Sequence, residues 1–288
     1  MTRISSSYLL RSLGYEFEVF SEGEVKPSKV SVKFKDLFPQ LSHQEGKSKE
    51  IAEKELYSHQ METLSSLESG RNVVLISGTG SGKTEAWFFY AAKGRRALVI
   101  YPTLALANDQ IKRLEEYSKT LKINPYIIDA RRRELLISKH GTRGLKGVLS
   151  LADVVITNPA FLMSDLKRTA SKGAYLLNFI KKLDLIVIDE LDFYGPREVA
   201  LLLSMIKLIS LIAEKKPQVT VLTAALGNPE ELAEYLTAIN GRETSVVRGD
   251  PFRPRNDAYL ILGKNLKSVW ECLRSHKKEI LSADVGDD

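Results

Sequence analysis

Between Ser77 and Thr84 the chain reads SGTGSGKT, directly after the apolar run NVVLI at 72–76. Glycines at 78, 80 and 82 free the backbone to turn its N–H groups inward, where they can meet phosphate oxygens. Lys83 would reach the terminal phosphates and the Thr84 hydroxyl would ligate Mg²⁺. The strict pattern G-x-x-x-x-G-K-[ST] has a glycine where this chain has Ser77, so the match is one position short. A plain glycine turn is the competing reading. The strand-like run before the loop and the helix-like EAWFFYAA after it argue against that. Gly78, Thr79, Gly80, Ser81, Gly82, Lys83 and Thr84 are therefore expected to hold a nucleotide.

A second group lies about a hundred residues on. LDLIVIDELDFYG is an apolar strand that ends in Asp189 and Glu190, with Asp192 close behind. A carboxylate at the carboxyl end of a strand neighbouring the cradle can hold Mg²⁺, and Asp189 is the candidate. Glu190 could polarise an attacking water as general base. A kinase would use the acid to activate a substrate hydroxyl instead. Without the cradle upstream, the same residues would read as solvated acids at a strand end.

The elements that must position these groups alternate along the chain. Strand-like runs are NVVLI (72–76), ALVIY (97–101), PYIID (125–129), DVVIT (153–157), DLIVID (184–189), QVTVLTA (218–224) and DAYLIL (257–262). Several are apolar throughout, as parallel strands covered on both faces require. Helix-length segments such as REVALLLSMIKLISLIAEKK separate them, which is the βαβ rhythm of an open, mostly parallel sheet with helices on both faces. Near the start, YEFEVF and KVSVKFKDLF alternate at period two around SEGEVKPS, predicting a β-hairpin. The expected fold class is α/β: a P-loop domain over 51–262, a small N-terminal β-hairpin extension over 1–50, and a helix and tail over 263–288.

Composition narrows the partners. With 288 residues, 43% hydrophobic and 27% charged, the chain has the balance of a soluble globular protein. No apolar run reaches the roughly 18 residues of a membrane span, so no membrane partner is expected. The start, MTRISSSYLLRSLGYEF, does not read as a signal peptide. A single cysteine, Cys272, excludes internal disulfides and cysteine zinc sites, which fits a reducing cytoplasm. The four histidines lack metal-ligand spacing. Net charge is +6, and residues 107–150 carry ten Lys/Arg against five acids. That local excess points to a polyanion partner about as readily as to solvated helix faces.

Taken in order, the motifs resemble those of one family. DELD at 189–192 is a D-E-x-D box. LYSHQ (56–60) looks like a Q motif, SGTGSGKT like motif I, and YPTLALANDQ (101–110) like motif Ia. TNPAFLM (157–163) looks like motif Ib and TAALGNPEEL (223–232) like motif III. The series resembles the first RecA-like domain of superfamily 2 DEAD/DEAH-box helicases over about 51–262. Within it, the nearest likeness is to DNA helicases with a C-terminal cysteine-rich domain, with large helicase-related proteins as the rival. The resemblance implies ATP and Mg²⁺ as cofactors, Gln60 reading the adenine edge, and Tyr57 packing near the base. It assigns Pro102, Thr103, Thr157, Asn158 and Pro159 to the nucleic-acid backbone, with single-stranded DNA favoured and RNA possible. It makes Asp192, Thr223, Ala224 and Ala225 the link between nucleotide and strand. Helix capping by Thr and Asn is the local alternative for the Ia and Ib residues, and both readings can hold together.

Three departures qualify the likeness. Ala225 stands where the family usually has a hydroxyl. Leu104 replaces a frequent lysine or arginine. No second RecA-like domain follows DAYLIL, so the arginine fingers it would carry are expected from a longer chain or a partner subunit. Arg248, Arg253 and Arg255 read as a basic loop. The leading expectation is the ATP-binding half of a helicase, weak in turnover alone, cytoplasmic or nucleoid-associated. The alternatives are a non-catalytic ATP-dependent nucleic-acid-binding or regulatory subunit and, less favoured, a P-loop transferase. A transferase would account for the cradle but not for the ordered loops.

Overall fold

The computed structural model describes residues 5–43, 47–78, 80–171, 173–250, 255–262 and 266–277. It divides into two units, Lys26–Phe252 and Met1–Val25 with Arg253–Asp288.

The larger unit is built on one seven-stranded sheet. Its strands are β1 (Asn72–Ile76), β2 (Ala97–Ile100), β3 (Pro125–Ile127), β4 (Val154–Thr157), β5 (Leu185–Ile188), β6 (Gln218–Thr223) and β7 (Thr244–Arg248). They lie in the order β7-β1-β6-β5-β2-β4-β3, and all pairs are parallel. Every strand therefore ends on the same edge of the sheet, and the loops that follow share that edge.

Eight helices of this unit cover both faces of the sheet. They are α1 (Ser58–Glu68), α2 (Lys83–Ala92), α3 (Leu104–Leu121), α4 (Ala130–Leu151), α5 (Pro159–Lys167), α6 (Leu177–Lys181), α7 (Pro196–Ile212) and α8 (Pro229–Asn240). Period-two alternation sorts the strand residues between two cores. Val73, Leu75, Val99 and Val187 join Leu64, Trp87, Phe88, Phe89 and Ala107 from α1 to α3. Val74, Leu98, Ile186 and Ile188 join Leu149, Phe161, Phe179, Met205 and Leu236 from α4 to α8. Trp87, Phe88 and Phe89 are core residues. Chain ends of the helices carry ordinary stop and start signals. Asn158 caps α5 ahead of Pro159 at its first turn, and Gly241 closes α8 in the left-handed region at φ 76°.

Two expectations need correction. The alternating N-terminal runs do not form a hairpin with each other. Strand Lys29–Lys33 pairs antiparallel with Glu55–Tyr57, inside the larger unit. Strand Glu16–Glu22 pairs antiparallel with Asn256–Leu262, from Glu16 opposite Leu262 to Glu22 opposite Asn256. DAYLIL is thus not a strand of the main sheet. TSVVR, within β7, takes the edge beside β1 instead. Period two shows that a strand has two unlike faces, but it does not identify the partner.

The smaller unit consists of that strand pair with helices Ser6–Ser12 and Leu266–Ser275. Ser7 Oγ lies 3.0 Å from the Tyr259 hydroxyl, and Tyr15 hydroxyl 2.9 Å from Ser268 Oγ. These bonds tie one helix to the second strand and the other to the chain just before the first. The expected tail from 278 onward lies outside the described residues.

Candidate active site

The glycine-rich loop runs from the end of β1 into α2, and its own side chains brace it. Ser77 Oγ and Ser81 Oγ are 2.7 Å apart, and Ser81 Oγ donates to Gly78 O at 2.8 Å. The departure at Ser77 therefore supplies a hydrogen bond that a glycine could not make. Gly80 and Gly82 occupy the left-handed region, at φ 79° and 76°. A Cβ on Gly82 would also fall 2.4 Å from Gln60 Nε2, so a side chain there would displace the Gln60 carboxamide. Lys83 Nζ donates to Ser77 O at 2.9 Å and approaches Gly78 O at 3.4 Å. Thr79 lies outside the described residues.

Gln60 is committed to the protein at both ends of its carboxamide. Oε1 accepts from Tyr57 N–H at 3.0 Å, and Nε2 donates to Gly82 O at 2.9 Å. One lone pair and one N–H remain for a ligand edge. His59, which sequence reasoning set aside, is buried beside it, with Nε2 2.9 Å from Ser81 O. Its only sequence signal is its place next to Gln60.

The acidic strand does not adjoin β1, because β6 is inserted between β1 and β5. The insertion puts Thr223 between the two halves of the site. Its carbonyl accepts from Ser77 N–H at 3.0 Å. Its hydroxyl lies 3.0 Å from Asp192 Oδ1 and 2.9 Å from Ala225 O. Ala224 N–H points to the same Asp192 oxygen at 3.3 Å. Asp192, Thr223, Ala224 and Ala225 are thus brought together. Ala225 takes part through its carbonyl, which needs no side-chain hydroxyl.

Asp189 is buried, and its Oδ1 accepts from Glu190 N–H at 2.9 Å. Burial pushes its carboxyl up to about 6, Glu190 adds to the rise, and Tyr101 and Lys83 oppose it. Tyr101 is buried in the same place. Its hydroxyl faces Asp189 and Thr84. Burial, then the Asp189 charge, holds that phenol well above its ordinary range. Glu190 sits in the left-handed region at φ 54° and ψ 53°, a conformation uncommon for a residue with a side chain. The twist turns the chain sharply at the strand end, ahead of the short turn Leu191–Phe193.

On the other half of the sheet edge, β2, β4 and β3 are consecutive, so the loops after them lie side by side. Thr103 is exposed and caps α3, its Oγ1 accepting from Leu106 N–H at 3.4 Å. Asn158 is half-buried and caps α5, with Oδ1 accepting from Phe161 N–H at 2.8 Å. Pro102 and Pro159 flank these caps and are half-buried. Thr157 is fully buried and donates its hydroxyl to Ile128 O at 2.8 Å, which ties the end of β4 to the chain just after β3. After β3, Asp129 caps α4 and Arg132 reaches back to Asn108 Oδ1 at 2.8 Å. A groove of about 760 Å³ opens there, with Lys112, Arg132 and Lys139 on its walls. Arg248 is held in an exposed pair with Glu230 at 2.7 Å, and Arg253 lies outside the described residues.

The site therefore combines a glycine-rich loop, a buried carboxylate, an acid in the left-handed region and a hydrogen-bonded bridge on one sheet edge. Residues 57–232 match the family model described as DEAD/DEAH box helicase. The chain belongs to the DEAD/DEAH box helicase family. It is 30% identical over 194 residues to the ATP-dependent helicase YprA of Bacillus subtilis (strain 168), covering 64% of this chain and 24% of that protein. It is 28% identical over 191 residues to the ATP-dependent DNA helicase Hel308 of Pyrococcus abyssi, covering 64% of this chain and 24% of that protein. A crystal structure of the DUF1998 helicase MrfA bound to DNA superposes with a TM-score of 0.73 at 21% identity. That match covers 96% of this chain and 40% of the other, and it speaks to the fold. The chain spans about a quarter of the length of these curated relatives. Among the described residues, no helix is long and apolar enough to cross a membrane.

Proposed function

We propose that this chain is the ATP-binding half of a superfamily 2 nucleic-acid helicase. The observation that carries the reading is the bridge through Thr223, which joins the phosphate loop at Ser77 to the acidic loop at Asp192. A bridge of this kind lets the state of a bound nucleotide alter the loops beside it.

In this reading the N–H groups at the head of α2 and Lys83 bind the phosphates of ATP. Thr84 and Asp189 hold Mg²⁺. They form an all-oxygen donor set, and a cation offsets the cost of burying Asp189. Glu190 orients the attacking water. Thr103, Asn158 and the helix starts they cap bind the backbone of a single strand, DNA in preference to RNA, and the basic groove at Arg132 extends that path. Pro102 and Pro159 shape those loops. A second RecA-like domain, from a longer chain or a partner subunit, completes the nucleotide cleft. The working location is the cytoplasm or the nucleoid.

The test is ATP hydrolysis by the chain with and without single-stranded DNA, beside Lys83→Ala and Glu190→Gln. Turnover stimulated by the strand and lost in both variants supports the reading. Phosphate transfer to a small molecule would replace it with a transferase. Nucleotide binding without turnover, even with a second RecA-like domain supplied, would favour a regulatory subunit.

A further inference from the structure

Two consecutive side chains at the start of α1 grip two consecutive carbonyls of the phosphate loop. His59 Nε2 meets Ser81 O and Gln60 Nε2 meets Gly82 O, each at 2.9 Å across 22 residues of sequence. A carbonyl can only accept, so His59 carries its proton on Nε2 and keeps a lone pair on Nδ1. Among the described residues, Nδ1 is buried with no hydrogen-bond partner. Burial pulls the imidazole below its ordinary value. The Ser81 carbonyl and Asp250 pull the other way, and Lys83 adds to the depression. The ring is thus a neutral donor.

The ring is also fixed in place. It stacks on Tyr57 with centroids 5.6 Å apart and planes at 9°. A Cβ on Gly249 would come 2.9 Å from His59 Cγ and 2.4 Å from Ser77 Oγ, so only glycine fits behind it. Gly249 N–H donates to Ile76 O at 2.8 Å, which holds that backbone against the end of β1. Asp250, next in sequence, accepts from Ser28 N–H at 2.8 Å and from the Ser28 hydroxyl.

Peptide geometry converts this grip into a statement about phosphate. In a planar trans peptide the C=O and the following N–H point in opposite directions. Drawing Ser81 O toward His59 therefore turns Gly82 N–H away from it. Gln60 does the same for Lys83 N–H. With Gly82 in the left-handed region, successive N–H groups can converge into an anion-binding nest.

We propose that His59, backed by Gly249, is a positioning residue of the nucleotide site that aims the Gly82 N–H at the phosphates. The inference rests on the reading of the loop as an ATP site. It distinguishes His59 from a packing residue, whose loss would loosen the whole site without regard to which part of the ligand is bound.

The experiment uses the 288-residue chain and a fluorescent ATP analogue with Mg²⁺, displaced in turn by pyrophosphate and by adenosine. His59→Phe keeps the ring and its stack but loses the donor. His59→Gln keeps an N–H donor. The expected result is about tenfold weaker pyrophosphate competition in His59→Phe, the size of one net hydrogen bond, with adenosine competition unchanged. His59→Gln is expected to recover most of that loss. Equal affinity of His59→Phe and the unsubstituted chain overturns the inference, as does equal weakening toward both competitors. If neither the unsubstituted chain nor Lys83→Ala binds the analogue, the ATP-site reading falls and takes the inference with it. Binding that Lys83→Ala abolishes and His59→Phe retains sinks the inference alone. Should His59→Phe fail to fold, nitrogen NMR of the histidine-labelled unsubstituted chain decides. A protonated Nε2 with a bare Nδ1 supports the proposal, and a protonated Nδ1 overturns it.

Discussion

The Thr223 hydroxyl faces two acceptors, Asp192 Oδ1 at 3.0 Å and Ala225 O at 2.9 Å, and it has one proton to give. It can satisfy the acidic loop or its own turn, or share the proton between them. Its carbonyl accepts from Ser77 N–H at 3.0 Å. The hydroxyl thus lies between the glycine-rich loop and the D-E-x-D box, bonded toward both Asp192 and its own turn.

Thr223→Val keeps the shape and removes the proton. The expected cost is about 1 kcal/mol of folding stability. This is the size of an ordinary hydrogen bond rather than one to a buried charge, because Asp192 is exposed to water. A double-mutant cycle with Asp192→Ala, read by urea unfolding, should return a coupling of about 1 kcal/mol. Strict additivity of the two substitutions would show that the bond contributes nothing in solution.

Asp189 makes stability depend on pH in a defined direction. Its carboxyl rises from 3.8 to about 6 on folding, mainly through burial. Between those values the folded state holds the extra proton, so stability falls as pH rises through the window. Above about 6 the full cost is present, on the order of 3 kcal/mol. With a chelator in the buffer, Asp189→Asn is expected to be more stable than the unsubstituted chain at neutral pH. The difference should shrink to nothing toward pH 4. A stability difference independent of pH would exclude a raised carboxyl at this position.

The parts of this architecture that were legible in the sequence share one property: their signal is local. NVVLI and LIVI announce buried parallel strands because both faces are apolar, and the glycine loop, DELD and TAA are contiguous strings. β7 was missed because TSVVR is mostly half-buried at a sheet edge and carries no such run. The partner of Glu16–Glu22 could not be read, since it lies at Asn256–Leu262 and alternation does not encode distance. His59, Gly249 and Asp250 escaped for the same reason. Each acts through a contact with a residue far away in sequence. The inward turn of the Thr157 hydroxyl toward Ile128 O was not legible either, because a strand-end hydroxyl looks the same in sequence whichever way it turns.

At the opposite ends of the strands, Asn72 and Asn240 form a buried polar pair. Asn72 Oδ1 accepts from Asn240 Nδ2 at 2.8 Å and from Val219 N–H at 3.0 Å. Asn72 Nδ2 donates to Asn240 Oδ1 at 3.0 Å. The pair ties β1 and β6 to the end of α8. Asn72→Ala strands several buried groups at once and should cost about 3 kcal/mol or more. The double change Asn72→Leu with Asn240→Leu should cost less than the sum of its parts. Urea unfolding of the four proteins checks this. Nucleotide affinity should be unchanged in any of them that folds, because this end of β1 is remote from the loop.

Thr157 and Thr103 separate structure from strand binding. The Thr157 hydroxyl is buried and paired with Ile128 O, so Thr157→Val should cost about 1–3 kcal/mol of stability. It should leave the affinity for a labelled single-stranded oligonucleotide unchanged. Thr103 is exposed at the head of α3. Thr103→Ala should cost about 1 kcal/mol as a lost cap and also weaken the oligonucleotide. Arg132→Ala, in the basic groove, should lower the salt slope of binding by about 1, the signature of one lost phosphate contact. Fluorescence anisotropy across a salt series, with urea unfolding of each variant, reads all three. Oligonucleotide binding lost in Thr157→Val at full stability would return Thr157 to the strand path. A salt slope unmoved by Arg132→Ala would remove the groove from it.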